Sequence, residues 1–186
     1  MKLQIVFTST REGREGSPIA SWVMERAQAH GKFEPELVDL KAVNLPLFDE
    51  PQHPRLRQYK NAHTKSWSAI VAAADAFVVV TPEYNYGMPP ALLNAIDYLS
   101  AEWAYKPASV VSYGGISGGT RSAQMTKQML PSVKMMPIPE GVSIPFFRNM
   151  MNAEGQFVAG EMQEKAITPM LDELSRWTEA LATLRK

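Results

Sequence analysis

The run Ala76-Phe77-Val78-Val79-Val80 is the strongest constraint on what this sequence can fold into. It has no polar face, whether wound as a helix or extended as a strand. Its valines and phenylalanine favour a strand. A strand apolar on both faces belongs at the centre of a parallel sheet covered by helices on both sides. Four further strand-like runs flank it in the chain: Leu3 to Phe7, Glu36 to Leu40, Ala108 to Ser112, and a short, weak one from Val133 to Met136. The mixed charged and apolar pattern of Glu36 to Leu40 suits an edge strand. Between these runs the apolar residues recur at helical spacing. They do so over Ser17 to His30, around Trp67, Ile70, Val71 and Ala74, around Leu92, Ala95, Ile96 and Leu99, and from about Gly119 to Leu130. A last stripe carries Ile167, Met170, Leu171, Leu174, Trp177, Leu181 and Leu184. Strand–helix alternation repeated five times predicts a doubly wound α/β sheet with five parallel strands. No repeat or linker divides the chain, so residues 1–186 are expected to form a single domain.

Composition narrows the function. Lys plus Arg equals Asp plus Glu at 19 each, which gives no bulk attraction to nucleic acid or a membrane surface. The absence of cysteine excludes disulfides, thiolate metal sites and cysteine nucleophiles. There is no apolar run of membrane-spanning length, and the first residues are strand-like, unlike a signal peptide. A cytoplasmic location is the expectation. The three histidines, His30, His53 and His63, are scattered and lack paired carboxylates, so no metal site is expected. Tyr98, Trp103 and Tyr105 read as core or subunit interface. Two irregular stretches, Asn44 to Arg57 and Pro137 to Ala153, are rich in proline and read as lid, interface or surface loop.

In an open parallel sheet, ligands bind outside the carboxyl ends of the strands where strand order reverses. Three loops open on that edge. The first, Thr8 to Pro18, has four hydroxyl side chains, two arginines and two glycines. It ends at a helix start, with Ser17 as N-cap and Pro18 at the first helical position. Free amides and the helix dipole favour an anion there, and Arg11 adds a charge-assisted donor for a phosphate. The loop is neither a Walker A sequence nor a dinucleotide G-x-G-x-x-G fingerprint. The second loop, Thr81-Pro82-Glu83-Tyr84-Asn85-Tyr86-Gly87-Met88-Pro89-Pro90, combines two aromatic rings, an asparagine and a glycine expected to take the unusual backbone angles. That composition suits a flat ligand with polar edges. The third, Ser112 to Arg121, has four glycines in six residues, which lets backbone amides approach a ligand.

Together these loops resemble the NADPH-dependent FMN reductase family, which has a flavodoxin-like fold. The resemblance covers about residues 2–130. Its most specific part is Pro82-Glu83-Tyr84-Asn85-Tyr86-Gly87 continuing through Leu93-Asn94-Ala95-Ile96-Asp97. Ser9-Thr10-Arg11-Glu12-Gly13-Arg14 looks like the family's phosphate loop and Ser112-Tyr113-Gly114-Gly115 its third flavin loop. Thr8 departs from a position where many members have glycine. The resemblance implies strand order 2-1-3-4-5 and non-covalent FMN reduced by NADPH or NADH. It implies that Ser9, Arg11 and Ser17 hold the phosphate, helped by Thr10 and by backbone near Pro18 and Ile19. Pro82, Glu83, Tyr84, Asn85, Tyr86 and Gly87 would wrap the isoalloxazine, and Ser112, Tyr113, Gly114 and Gly115 would line its pyrimidine end. Hydride would pass through flavin N5 to a quinone, free flavin, azo compound or metal oxyanion, with no catalytic side chain required. Glu83 reads as a solvent-facing or backbone-bonding acid. A homodimer or homotetramer is implied.

Other readings remain open at this point. A flavodoxin-like electron carrier shares the fold, though the balanced charge and the Tyr84-Asn85-Tyr86 loop speak against it. A non-catalytic flavin sensor would look the same in sequence. A low-molecular-weight phosphatase needs a cysteine that is missing. A receiver domain needs acidic residues where Thr8, Ser9, Thr10 and Thr81 stand.

Overall fold

A computed structural model describes residues 1–185. Five strands form one parallel sheet in the order β2-β1-β3-β4-β5: β1 (Lys2–Phe7), β2 (Glu34–Asp39), β3 (Ala76–Pro82), β4 (Pro107–Tyr113) and β5 (Met136–Ile144). The helices are α1 (Ser17–His30), α2 (Leu40–Val43), α3 (Ala62–Ala73), α4 (Pro90–Asp97), α5 (Thr120–Met129) and α6 (Glu161–Ala182). The expected flavodoxin-like architecture and strand order are therefore present.

The pleat sorts each strand's residues into two cores. In β3, Ala76, Val78 and Val80 face one side of the sheet, while Phe77 and Val79 face the other. The first side is covered by α1 and α6 through residues such as Ile19, Val23, Ile167 and Leu171. The second is covered by α3, α4 and residues after α5, including Trp67, Leu92, Ile96 and Leu130. All of β3 is buried, as its composition required. Each such Val or Phe contributes roughly 1.5–3 kcal/mol by leaving water. Gln4 is the polar exception inside β1. Its Nε2 donates to the Ile70 carbonyl of α3 at 2.6 Å, which offsets part of the cost of burying it, while its Oε1 has no partner among the described residues. Trp67 likewise spends its indole N–H on the Ala95 carbonyl at 2.8 Å, joining α3 to α4.

Several expectations need correction. The fifth strand does not lie at Val133–Met136. It begins at Met136 and occupies the first part of what reads as an irregular stretch. Pro137 and Pro139 hide it from a sequence reading, yet an edge strand tolerates proline because one side of its ladder needs no donors. The strand also bulges. Ala108 pairs with Pro137 while Val110 pairs with Gly141, so β5 has extra residues between these two partners. Ile138, Val142 and Ile144 still reach the core. Leu184 is exposed because α6 ends at Ala182 and a 3₁₀ turn follows. The stretch 44–57 contains only a 3₁₀ turn, Pro54–Leu56, and α2 before it is too short to leave a periodic signal. Asn94 pins this stretch to α4 by accepting from the Phe48 amide at 2.9 Å and donating to the Pro46 carbonyl at 2.7 Å. Tyr98 and Trp103 are core residues.

Gly141 is where β5 bends closest to β4. A Cβ there would sit 2.6 Å from the Val110 carbonyl oxygen. Gly141→Ala is expected to displace the bulge and lower unfolding stability by about 1–3 kcal/mol, measured by urea denaturation followed by circular dichroism.

Candidate functional site

The loops after β1, β3 and β4 converge on the carboxyl edge of the sheet. β3 and β4 end in register, Pro82 opposite Tyr113, and Phe7 of β1 pairs with Val80 two residues earlier. The 7–18, 82–90 and 113–119 segments are therefore neighbours by construction.

The first loop is held by its charges. Thr8 continues the β1–β3 ladder, sending both its amide and its hydroxyl to the Val80 carbonyl at 3.1 Å. Arg14 grips both oxygens of Asp39 at the end of β2, and also donates to the Ser9 carbonyl at 2.8 Å. Its guanidinium lies over the Phe7 ring. Burial tends to raise the Asp39 carboxyl, but the bonds from Arg14 and from the Lys41 amide carry it below the ordinary range. Glu12 pairs with Lys41 at 2.8 Å and Glu15 with Arg148 at 2.6 Å. Among the described residues, Arg11 is the one charged side chain of this loop without a pairing partner.

The helix start differs from expectation. Gly16, not Ser17, is the N-cap, with no side-chain cap bond. Pro18 has no N–H, and the amides of Ile19 and Ala20 both return to the Gly16 carbonyl. The Ser17 amide is left as the donor of the first turn. Gly16 is required by packing, since a Cβ there would lie 2.1 Å from the Tyr113 hydroxyl oxygen.

In the second loop Tyr84 and Gly87 exchange backbone bonds at 2.9 and 3.0 Å around a tight turn. The left-handed residues are Asn85 (φ 49°) and Tyr86 (φ 67°), not the glycine. Asparagine accepts this conformation readily, whereas for tyrosine it costs on the order of 1–2 kcal/mol. Gly87 sits against the Met125 sulfur, where a Cβ would approach to 3.3 Å. The strained Tyr86 ring is 73% exposed and covered on one face by the Arg121 guanidinium at 4.1 Å. Tyr84 turns inward and shares a 2.6 Å hydrogen bond with Ser9 of the first loop. Glu83 turns to the third loop. It accepts from the Ser117 hydroxyl at 3.0 Å and from the Arg121 amide at 3.1 Å, and is paired with the Arg121 guanidinium. Burial acts to raise its carboxyl, but these donors bring it below its ordinary value. Of the two expectations for Glu83, the backbone-bonding one is met, through the Arg121 amide, and the solvent-facing one is not. Glu83 ties two loops together.

The third loop is braced from behind. The Gly114 amide bonds to the Ile144 carbonyl, and the amides of Phe146 and Phe147 bond to the Gly115 and Gly114 carbonyls at 2.9 and 3.3 Å. The Ser112 hydroxyl is buried and turned inward to Gly118. Tyr113 is buried edge-on to Phe147 at 5.1 Å. Burial pushes its phenol well above the ordinary range, and Tyr84 adds to this, so it stays neutral. Gly115 is open, with nothing within 4 Å of where a Cβ would stand.

These three loops enclose a cleft of about 230 Å³. It gathers Ser9, Arg11, Pro82, Glu83, Tyr84, Tyr113, Gly114 and Gly115 from the residues expected by sequence. Asn85, Tyr86 and Gly87 form the outer turn beside it. Thr10 faces a separate hollow with Lys41 and Asn94, and Ser17 and Pro18 border another with Trp22 and Phe157. Ile19 is in the core. Arg14, Glu15, Phe147 and Arg148 also line the cleft. Phe147 and Arg148 come from a segment whose folded position depends on the hidden strand β5, so nothing local in the sequence marks them. The cleft has the parts for a phosphate at Ser9 and Arg11 and for a flat ring against Tyr84 and the open Gly115 backbone.

Residues 1–149 match the model of the NADPH-dependent FMN reductase family. The chain is 32% identical over 173 residues to the NAD(P)H-dependent FMN reductase ntnL of a Nectria species, covering 89% of this chain and 86% of the relative. It is 41% identical over 140 residues to the Schizosaccharomyces pombe NAD(P)H-dependent FMN reductase C4B3.06c, covering 74% and 70%. Among solved structures, the flavoenzyme NAD(P)H:(acceptor) oxidoreductase FerB of Paracoccus denitrificans superposes with a TM-score of 0.75 at 23% identity, covering 96% of this chain and 97% of that one. With a flavodoxin-like sheet, three converging loops and a family match over most of its length, the chain belongs to the NADPH-dependent FMN reductases.

Proposed function

We propose that the whole chain acts as one flavodoxin-like domain that holds FMN non-covalently in the cleft between its first three carboxyl-edge loops. The chemistry FMN supplies when bound is transfer of electrons, as hydride, from NAD(P)H to a small acceptor. The observation that carries the assignment is the pairing of charges in the first loop. Glu12, Arg14 and Glu15 each have a partner, and Arg11 alone faces the cleft without one. An unpaired guanidinium lining the same cleft as Ser9 suits a phosphate. The Ser17 amide, the donor left at the start of α1, supports that end through backbone position; Thr10, Pro18 and Ile19 contribute through the course of the backbone, since their side chains face elsewhere.

The remaining residues position and seal. Tyr84, locked to Ser9, connects the phosphate end to the ring end. Pro82, Glu83, Asn85, Tyr86 and Gly87 form a stiff wall, because Glu83 staples their loop to Ser117 and Arg121. Gly115 offers backbone at the other side, where an amide can meet negative charge on the pyrimidine edge. Ser112, Tyr113 and Gly114 hold that backbone in place from below. None of these side chains has to act as nucleophile or base.

No described helix is long and apolar enough to cross a membrane. A cytoplasmic location fits a cysteine-free chain. A homodimer or homotetramer is supported by exposed Leu47 and Phe48, held on α4 by Asn94, together with exposed Leu93 of α4 itself.

The purified protein with bound FMN is expected to be yellow and to bleach when NADPH is added without any protein partner, as followed by its absorption spectrum. A flavin that stays oxidised for many minutes would leave an electron carrier or a sensor. Arg11→Ala is expected to weaken FMN binding by roughly tenfold or more, read by fluorescence titration, with an unchanged circular dichroism spectrum.

Glu83 gives a pH test. Its carboxyl is held below the ordinary value of 4.5 in the folded chain. The staple therefore stabilises the fold fully above the unfolded value, and the contribution is lost as pH falls through the lower folded value. Glu83→Gln is expected to cost about 1–3 kcal/mol at pH 7. Urea denaturation of both proteins at pH 7 and on acidification below about 4.5 should show the gap closing.

A further inference from the structure

Arg148 lies outside every motif that marks the FMN site, yet it lines the same cleft as Ser9 and Arg11. Its base is fixed. It belongs to the 3₁₀ turn Phe147–Met150, whose start is bonded through the Phe146 and Phe147 amides to Gly115 and Gly114. The Phe147 ring rests edge-on against Tyr113. Its arm is held only by exposed contacts. The side chain is 68% exposed, the guanidinium lies 5.9 Å over the Phe147 ring, and Nε and Nη2 both reach one oxygen of Glu15, at 2.9 and 2.6 Å.

Glu15 is a surprising occupant for the mouth of an anion site. It is close enough to Arg11 for that cation to help hold its carboxyl ionised, behind the larger effect of Arg148. Of the charges that line the cleft, Arg14 is paired with Asp39 and Glu83 with Arg121, which leaves Arg11, Arg148 and Glu15 to set the field at its mouth. Two N–H groups on one edge of Arg148 converge on a single oxygen of Glu15; the same edge can meet two oxygens of a phosphate in parallel bonds. Exposed ion pairs of this kind are weak and easily exchanged. A phosphate monoester carries close to two negative charges near neutral pH. It can therefore take Arg148 from a carboxylate that is itself half exposed and free to turn to water.

We propose that Arg148 is a second cationic ligand of the FMN phosphate, held on Glu15 until the phosphate enters. This rests on the FMN reading above. Arg148 then selects flavins that carry a phosphate, while Glu15 is a competing anion that weakens binding and keeps the arm in position.

The test titrates apo-protein with FMN and, separately, with riboflavin, using flavin fluorescence quenching. Arg148→Ala is expected to weaken FMN binding roughly ten- to hundredfold and to leave riboflavin binding unchanged. Arg148→Lys should recover part of the loss by restoring charge without the two-pronged edge. Glu15→Gln should tighten FMN binding about two- to fivefold, because it removes the competing anion. Circular dichroism checks that each variant is folded. Unchanged FMN affinity in Arg148→Ala overturns the proposal. So does an equal weakening of FMN and riboflavin by both Arg148→Ala and Glu15→Gln, which marks the pair as a structural clip. A wild-type protein that binds no FMN fails the FMN reading itself, and Arg148 with it.

Discussion

The parallel pairing of β1 with β3 is the constraint on which everything at the site depends. Val6 lies opposite Val79 and Phe7 opposite Val80, and the one polar residue of this pairing, Gln4 opposite Phe77, is bonded to Ile70 of α3. A slip of one residue would exchange the two faces of β3, moving Phe77 and Val79 to the α1 side and Val78 to the α3 side. It would also shift the first loop along the second by one residue and part Ser9 from Tyr84. The cleft's polar groups lie mostly in loops, but their alignment is set by apolar strands that reach it only at their last residues, Pro82 and Tyr113. Thr8 shows the join. Its amide and hydroxyl both go to Val80, so the ladder ends in the binding loop without a break.

Charge then does locally what burial does globally. A loop with Arg11, Glu12, Arg14 and Glu15 in five residues has many alternative pairings. The strands resolve them by placing Asp39 at the end of β2, where Arg14 meets it in two-pronged geometry while still reaching Ser9. Lys41 of α2 takes Glu12. These exposed or half-exposed pairs add little stability individually. Their effect is to choose which guanidinium stays available, and the choice falls on Arg11.

Much of this was legible in the sequence, and what was not has identifiable causes. β3 declared itself because a strand buried on both faces leaves a continuous apolar run. β5 did not, because an edge strand can hold prolines and a bulge that erase its alternation. Missing β5 hid the position of Phe147 and Arg148, since their place in the cleft follows from where Ile144 ends. The three loops were recognisable from composition. Their internal assignments were less so: Gly87 carries the sequence signal of an unusual backbone, but the left-handed residues are Asn85 and Tyr86. Glycine here answers to the Met125 sulfur rather than to a dihedral angle. Ser17 had the composition of a cap, but Gly16 takes that place because only a residue without Cβ fits over the Tyr113 hydroxyl.

The strain at Tyr86 fits the division of labour in such a site. Where a cofactor carries the chemistry, the protein supplies binding, orientation and electrostatics, which demands stiffness and shape. The second loop meets that demand with two left-handed residues in succession, closed by paired backbone bonds and by Glu83 beneath. Such a turn costs energy and persists only when its surroundings over-determine it. Here they do. The Arg121 side chain satisfies Glu83 with its charge and covers the Tyr86 ring with its face. One residue of α5 therefore supports both the buried and the exposed ends of the turn. That leaves Tyr84, between them, free to face the first loop and tie it to the second through Ser9.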